Sequence, residues 1–174
     1  LKYYHSLQCI YGDMRGENIW VNANGQIKVM ISGKSINLNN STDSVESQEI
    51  YENSIHWAAP EVVSQNGNKE STSTDIWSLG ITAIELALGN CPYSQIKEVS
   101  VLAKVIQGLD APRLESSCFS EKFKDFLKCC LQKDPLKRLS STALLQHPFI
   151  TQHMSETAVN NLSRDSFESK EDSL

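Results

Sequence analysis

Hydrophobic and polar positions divide the chain into a short mixed opening, a polar middle and a helical second half. Residues 1–8 read as the end of a helix, finishing near Cys9. Ile19-Trp20-Val21-Asn22 is a short apolar strand. Asn24-Gly25 is a strong hairpin signal, and the run from Gln26 to Ile31 returns with partial alternation. From Lys34 to Ser54 the chain turns polar, most plainly at Asn39 to Ser44, a loop of about 20 residues of the length usually found in functional or mobile segments. Thr74-Asp75 is placed to cap a helix running through Trp77, Leu79, Ile81, Ala83, Ile84, Leu86 and Leu88. Its apolar residues fall on every side, which predicts burial nearly all round. Gly89-Asn90 and Cys91-Pro92 stop it. A second helix fits Val99 to Gln107, ended by Gly108. A third begins at Ser120-Glu121, where Phe123, Phe126, Leu127, Cys130 and Leu131 recur at i, i+3, i+4, i+7 and i+8. Asp134-Pro135 ends it. A fourth fits Ser141 to Gln146, stopped by His147-Pro148. Residues 151–174 form a polar, Ser-rich tail, predicted to be partly disordered or weakly helical.

Composition narrows the classes. The 174 residues carry 16 Lys+Arg against 21 Asp+Glu, a formal charge of −5, with 40% hydrophobic and 21% charged positions. That excludes a wholly disordered chain, a collagen-like repeat and a disulfide scaffold. The acidic balance argues against a nucleic-acid groove, which needs clustered Lys and Arg. The most apolar stretch, Ile81 to Leu88, is far short of the ~20 residues that span a bilayer, so no membrane partner is expected. No basic region followed by an apolar run opens the chain, so no secretory signal is visible. Cys9, Cys91 and Cys118 stand singly, and Cys129-Cys130 is too tight for zinc-type Cys-x-x-Cys spacing. The cysteines read as small buried hydrophobes in a reducing, cytoplasmic setting. The chain opens Leu1-Lys2-Tyr3-Tyr4-His5, without Met, and reads as part of something longer.

Function comes from motif order. Asp13-Met14-Arg15-Gly16-Glu17-Asn18 precedes the hairpin. The polar loop, Ala59-Pro60-Glu61, Asp75-Ile76-Trp77-Ser78-Leu79-Gly80 and Asp134-Pro135-x-x-Arg138 follow in one succession. Each is weak alone. Together, over residues 1–150, they resemble the C-terminal lobe of a eukaryotic protein kinase. Gly16-Glu17-Asn18, Trp57 and His147-Pro148-Phe149-Ile150 look most like the Ser/Thr kinases of mitogen-activated cascades and their sterile-twenty relatives. The resemblance implies a mainly α fold with a small β-hairpin, the large helical lobe without its N-terminal partner. The Gly-rich loop, the strand Lys and its helix Glu would all belong before residue 1. An apolar face toward that missing lobe should be exposed and sticky.

The resemblance also assigns roles. Asp13 sits where the catalytic base accepts a hydroxyl proton, and Asn18 where a side-chain oxygen holds one Mg²⁺. Arg15 replaces the Lys usual two residues after the base and keeps its charge. Ser54 occupies the hydroxyl position of the substrate-docking loop. Trp20 lies where the family places a Leu beneath adenine. Its indole would stack on adenine, fill the adenine space, or turn into the core. Asp75 would bind backbone N–H groups of the catalytic loop, or only cap its helix. Glu61 would pair with Arg138, or stand as a surface charge. Against these matches stand two losses. Tyr11-Gly12-Asp13 replaces His-Arg-Asp, which removes the Arg that anchors an activation-loop phosphate. Ser41, Thr42, Ser44 and Ser47 in the polar loop are candidate phosphorylation sites that would lack this anchor. Ile31-Ser32-Gly33 replaces Asp-Phe-Gly, and Ile31 has no oxygen for Mg²⁺. Tyr11 could still pack in the apolar column between lobes; Ser32 could not.

The expected function is therefore a pseudokinase, a scaffold or allosteric partner in kinase signalling. Its partners would be proteins, such as another kinase or a kinase substrate. ATP and Mg²⁺ are the implied cofactors, with weak or absent binding. The alternatives are an active Ser/Thr kinase in full-length form, with an acid such as Asp43 replacing the lost ligand, and a truncated product without function.

Overall fold

The computed structural model describes residues 1–31, 35–38, 54–64 and 71–153. It is rich in helix, with two small sheets. The helices are α1 (Lys2–Ser6), α2 (Pro60–Val63), α3 (Thr72–Leu88), α4 (Val99–Gly108), α5 (Glu121–Cys130), α6 (Ser141–Leu144) and α7 (Pro148–His153). Short 3₁₀ turns cover Gly16–Asn18, Ile55–Trp57 and Pro135–Lys137. The strands are β1 (Cys9–Ile10), β2 (Ile19–Val21), β3 (Ile27–Val29) and β4 (Ile36–Asn37).

The hairpin forms where the pattern places it. Strands β2 and β3 pair antiparallel, with Ile19 opposite Val29, Trp20 opposite Lys28 and Val21 opposite Ile27. Asn22 organises the turn: its Oδ1 accepts from the amides of Asn24 and Gln26. Gly25 takes φ 73°, a left-handed conformation that a Cβ would penalise. The second sheet departs from expectation. Ile36 and Asn37 lie inside the stretch read as irregular loop, yet they pair with Ile10 and Cys9 of β1. Two residues are too few to show a period of two, so the polar surroundings hid them. Ser41, Thr42, Asp43, Ser44 and Ser47 lie outside the described residues, as do Ser32 and residues 154–174.

Helix α3 is the spine. It begins at Thr72, before the expected Thr74-Asp75 cap, with Ser71 at the N-cap position. Its first three turns are buried through Ile76, Trp77, Ile81, Thr82 and Ile84, but Leu86 and Leu88 in the last turn face solvent. The expected all-round burial therefore holds only where other elements surround it. Gly80 lets α5 approach: a Cβ there would come 2.8 Å from Leu131. Phe126, Leu127, Cys130 and Leu131 complete this core with Ile76, Trp77, Ile81 and Leu144. A smaller core joins Ile55, Val63, Leu102 and Ile106.

Capping explains most boundaries. Ser120 Oγ accepts from the Phe123 amide and starts α5 as expected, but the helix ends at Cys130, before Asp134-Pro135. Asp134 instead caps the 3₁₀ turn by accepting from the Leu136 amide. Pro148 does more than stop the preceding helix, because it opens α7, the position where a missing N–H costs nothing. Cys91 and Cys130 are buried as expected, and burial pushes both thiols up to about 12. Cys118 departs from that expectation and is exposed, in the connection before α5.

The hairpin leaves an apolar surface in solvent. Trp20, Val21, Ile27, Val29, Met30 and Ile31 are all exposed. Ile27 and Val21 form one cross-strand pair on the face that Ile19 and Val29 extend. Such a cluster is larger than isolated surface apolar residues account for. The 174-residue chain is expected to bind a hydrophobic fluorescent dye, and Ile27→Lys with Val29→Thr to lower that fluorescence severalfold at unchanged helical circular dichroism. Equal dye binding by both proteins would refute the assignment of this face.

Candidate functional site

The loop from Tyr11 to Asn18 is hung from α3. Asp75 is 1% exposed, and its carboxylate accepts from the Tyr11 amide at 2.8 Å and the Gly12 amide at 2.9 Å. It also accepts from His5 Nε2 at 2.8 Å, while His5 Nδ1 meets Ser141 Oγ at 3.0 Å. Asp75 is therefore no helix cap. It orders the loop. Gly12 adopts φ 78°, which presents its amide to Asp75 beside that of Tyr11.

That arrangement delivers Asp13 and Asn18 to one place. Both are buried. Asn18 Nδ2 donates to the Asp13 carbonyl at 2.8 Å and closes the loop. Thr82 Oγ1, from α3, donates to the Met14 carbonyl at 2.9 Å. Arg15 Nε lies 3.4 Å from Asp13 Oδ1, and its guanidinium sits 5.9 Å from the Trp57 ring centroid. Asp13, Arg15, Ser54 and Trp57 line one cavity of about 50 Å³, room for a few waters. Glu85 ties its walls together. One oxygen, Oε2, accepts from the Gly16 amide at 3.0 Å and from Trp57 Nε1 at 2.9 Å. A Cβ at Gly16 would lie 3.1 Å from that same oxygen.

A second anchor holds the segment around Ala59-Pro60-Glu61. Arg138 forms a bidentate pair with Glu61, at 2.6 and 2.7 Å. It also donates to the carbonyls of Ser73 and Gln132 and lies 5.2 Å from the Trp77 ring centroid. Glu61 is thus part of a buried network and not a surface charge.

Residues 1–150 match the protein kinase domain. The chain belongs to this family. It is 40% identical over 153 residues to the probable serine/threonine-protein kinase mkcD of Dictyostelium discoideum, covering 87% of this chain and 22% of that protein. It is 36% identical over 165 residues to the serine/threonine-protein kinase dst2 of the same organism, covering 93% and 14%. Mitogen-activated protein kinase kinase kinase 3 of Arabidopsis thaliana is 34% identical over 166 residues, covering 95% and 26%. The chain thus spans about a quarter or less of the length of each of these relatives.

Protein kinases use ATP and Mg²⁺, and the donors around Asn18 can be tested against that ion. The Met30 amide donates to the Asn18 carbonyl at 2.9 Å, which brings the strand end back beside the loop. Tyr11 Oη donates to the Met30 carbonyl at 2.5 Å. The next side chain is Ile31, 78% exposed and without an oxygen. Mg²⁺ requires hard oxygen ligands in near-octahedral order. Among the described residues, the donors here do not fit a kinase-type Mg²⁺ site, and no step through ATP–Mg²⁺ is derived. Trp20 lies on β2, 60% exposed, which overturns the reading that turns it into the core.

Sequence reasoning missed the part Tyr11 plays. The ring is buried and packs edge-on against Tyr4 at 5.6 Å, while its hydroxyl fastens the segment leading to Ile31. Burial, helped by the charge of Asp13, pushes this phenol up to about 12. The fold favours the neutral form, so its contribution is complete below pH 10 and is lost as pH rises toward 12. Tyr11→Phe should cost about 1 kcal/mol at neutral pH. It should also show a shallower fall in stability than wild type between pH 10 and 12, read by urea melts across that range. Parallel pH curves would remove Tyr11 as the cause. Arg138→Met leaves the largely enclosed Glu61 carboxylate without its cation, and should cost about 3 kcal/mol. Glu61→Gln with Arg138→Met should recover part of that loss, measured in the same melts.

Proposed function

We propose that this chain is the C-terminal lobe of a protein kinase domain, spanning residues 1–150, whose parent acts as a pseudokinase. It would hold or allosterically set a protein partner in kinase signalling, another kinase or a kinase substrate, and would not transfer phosphate. The carrying observation is Ile31, an exposed aliphatic residue next after Met30, whose amide bonds to Asn18, at the position where the family supplies its metal-binding carboxylate. The supporting contrast is that the elements that shape the loop remain. Asp75 holds the loop amides, and Glu61 pairs with Arg138. Such a lobe keeps the surface of a kinase while lacking the group that would neutralise the transferring phosphate. No helix among the described residues is long and apolar enough to cross a membrane. A cytoplasmic setting accords with the five free cysteines.

A second reading has its own observation. Asp13, Arg15 and Ser54 line the same cavity, as a hydroxyl-phosphorylating centre would need. Under that reading the full-length protein is a Ser/Thr kinase with another oxygen in place of the missing ligand. Two measurements on the full-length protein separate them. Under the pseudokinase reading, ATP produces no Mg²⁺-dependent rise in melting temperature. Phosphotransfer is at least ~100-fold below that of an active relative and unchanged by Asp13→Asn. Turnover abolished by Asp13→Asn would establish the kinase reading instead. Under the pseudokinase reading, Ile31→Asp should create Mg²⁺-dependent ATP stabilisation.

A further inference from the structure

Asp125 and Cys129 stand one turn apart on α5, and His147 reaches them from the turn before α7. One oxygen of Asp125, the sulfur of Cys129 and a ring nitrogen of His147 all lie within 4.8 Å of one another. His147 Nε2 is 3.2 Å from Asp125 Oδ2. Bonds of about 2.0 Å at tetrahedral angles span a N···O edge of about 3.3 Å, so this pair already has the separation a zinc ion needs. Cys129 Sγ lies within 4.8 Å of both and must come to about 3.5 Å of them to complete the tetrahedral edges. We propose that Asp125, Cys129 and His147 bind a zinc ion, with water as fourth ligand, and so staple α5 to the start of α7. None of the three lines the cavity at Asp13, so the site is separate from the one above.

The chemistry selects the ion. One thiolate, one imidazole and one carboxylate are a borderline-soft set that suits Zn²⁺ and is wrong for Mg²⁺ or Ca²⁺. Thiolate and carboxylate together balance its double charge. Access differs usefully among the ligands: Asp125 is exposed, Cys129 half-buried and His147 buried. The ion enters from the Asp125 side and is backed by the Phe126 ring, 5.5 Å from that of His147.

Protons must move for binding. The Phe149 amide donates to His147 Nδ1 at 3.1 Å, so the ring proton sits on Nε2 and lies between His147 and Asp125. Zinc replaces it there. The ring stays neutral by carrying its proton on Nδ1, and the Phe149 bond is given up. The Cys129 thiol, raised by burial and by Asp125, releases its own proton to solvent. The lost hydrogen bond lowers affinity about tenfold. The expected affinity at neutral pH is therefore weaker than that of closed four-ligand sites.

The test uses the 174-residue chain with Zn²⁺ in competition with a chromophoric chelator, and with Co²⁺ as a spectroscopic substitute. One zinc should bind per chain, raising the melting temperature, and Co²⁺ should show a thiolate charge-transfer band. Cys129→Ser should abolish that band, and both Cys129→Ser and Asp125→Asn should weaken zinc at least ~10-fold. Asp125 is exposed, so the metal-free Asp125→Asn variant should melt close to wild type; Cys129 packs against the core, so its variant is compared in zinc affinity and Co²⁺ spectrum below its own melting temperature. Cys118→Ser, at the exposed thiol, should leave affinity unchanged. Zinc binding weaker than about 100 μM, or equal affinity in Cys129→Ser, overturns the proposal.

Discussion

The buried carboxylate of Asp75 is the constraint on which the rest of the arrangement depends. A charge at 1% exposure is tolerable only when donors surround it, and two backbone amides and one imidazole do so here. The donors belong to two separate segments that Asp75 joins to α3. The amides belong to the loop that carries Asp13. The imidazole belongs to α1 and passes the connection on to Ser141 at the start of α6. Electrostatic need thus works together with the buried Tyr11 and Met14 side chains to fix the loop.

The same logic separates shape from chemistry. Asp75, Glu61, Arg138 and Glu85 all act through hydrogen bonds inside the protein, and all retain their partners. Ile31 lies at the edge of that framework and faces solvent. Its aliphatic side chain meets water and places no polar atom in the core. The side chain at 31 is therefore not part of what holds the described fold together. Tyr11 adds to this independence, because its hydroxyl secures the Met30 carbonyl by protein contacts alone.

Much of this was legible in the chain, for physical reasons that also mark the limits. The helices of the second half announce themselves through periodicity and caps, as Ser120 and the apolar positions from Phe123 to Leu131 illustrate. The family could be read from motif order, and the Glu61–Arg138 and Asp75 contacts followed from it. Strand β4 could not be read, since two residues carry no period. Helix α7 was hidden because Pro148 signals a stop and a start alike. The role of Tyr11 depends on where the Met30 carbonyl falls, which no local pattern encodes. Cys129 looked like half of an uninformative cysteine pair, and only the turn before α7 brings His147 beside it. Residues distant in sequence become one cluster through packing, and spacing rules see only neighbours.

Gly16 carries a consequence for how such a loop can change. Its missing side chain leaves room for the Glu85 carboxylate, which in turn receives the Trp57 indole. A Cβ at 16 presses on that carboxylate, which must yield by a few tenths of an ångström while it holds the indole. Positions 16, 57 and 85 therefore do not drift separately. The room a side chain at 16 can take is set by how far the carboxylate at 85 can move without letting go of the indole at 57.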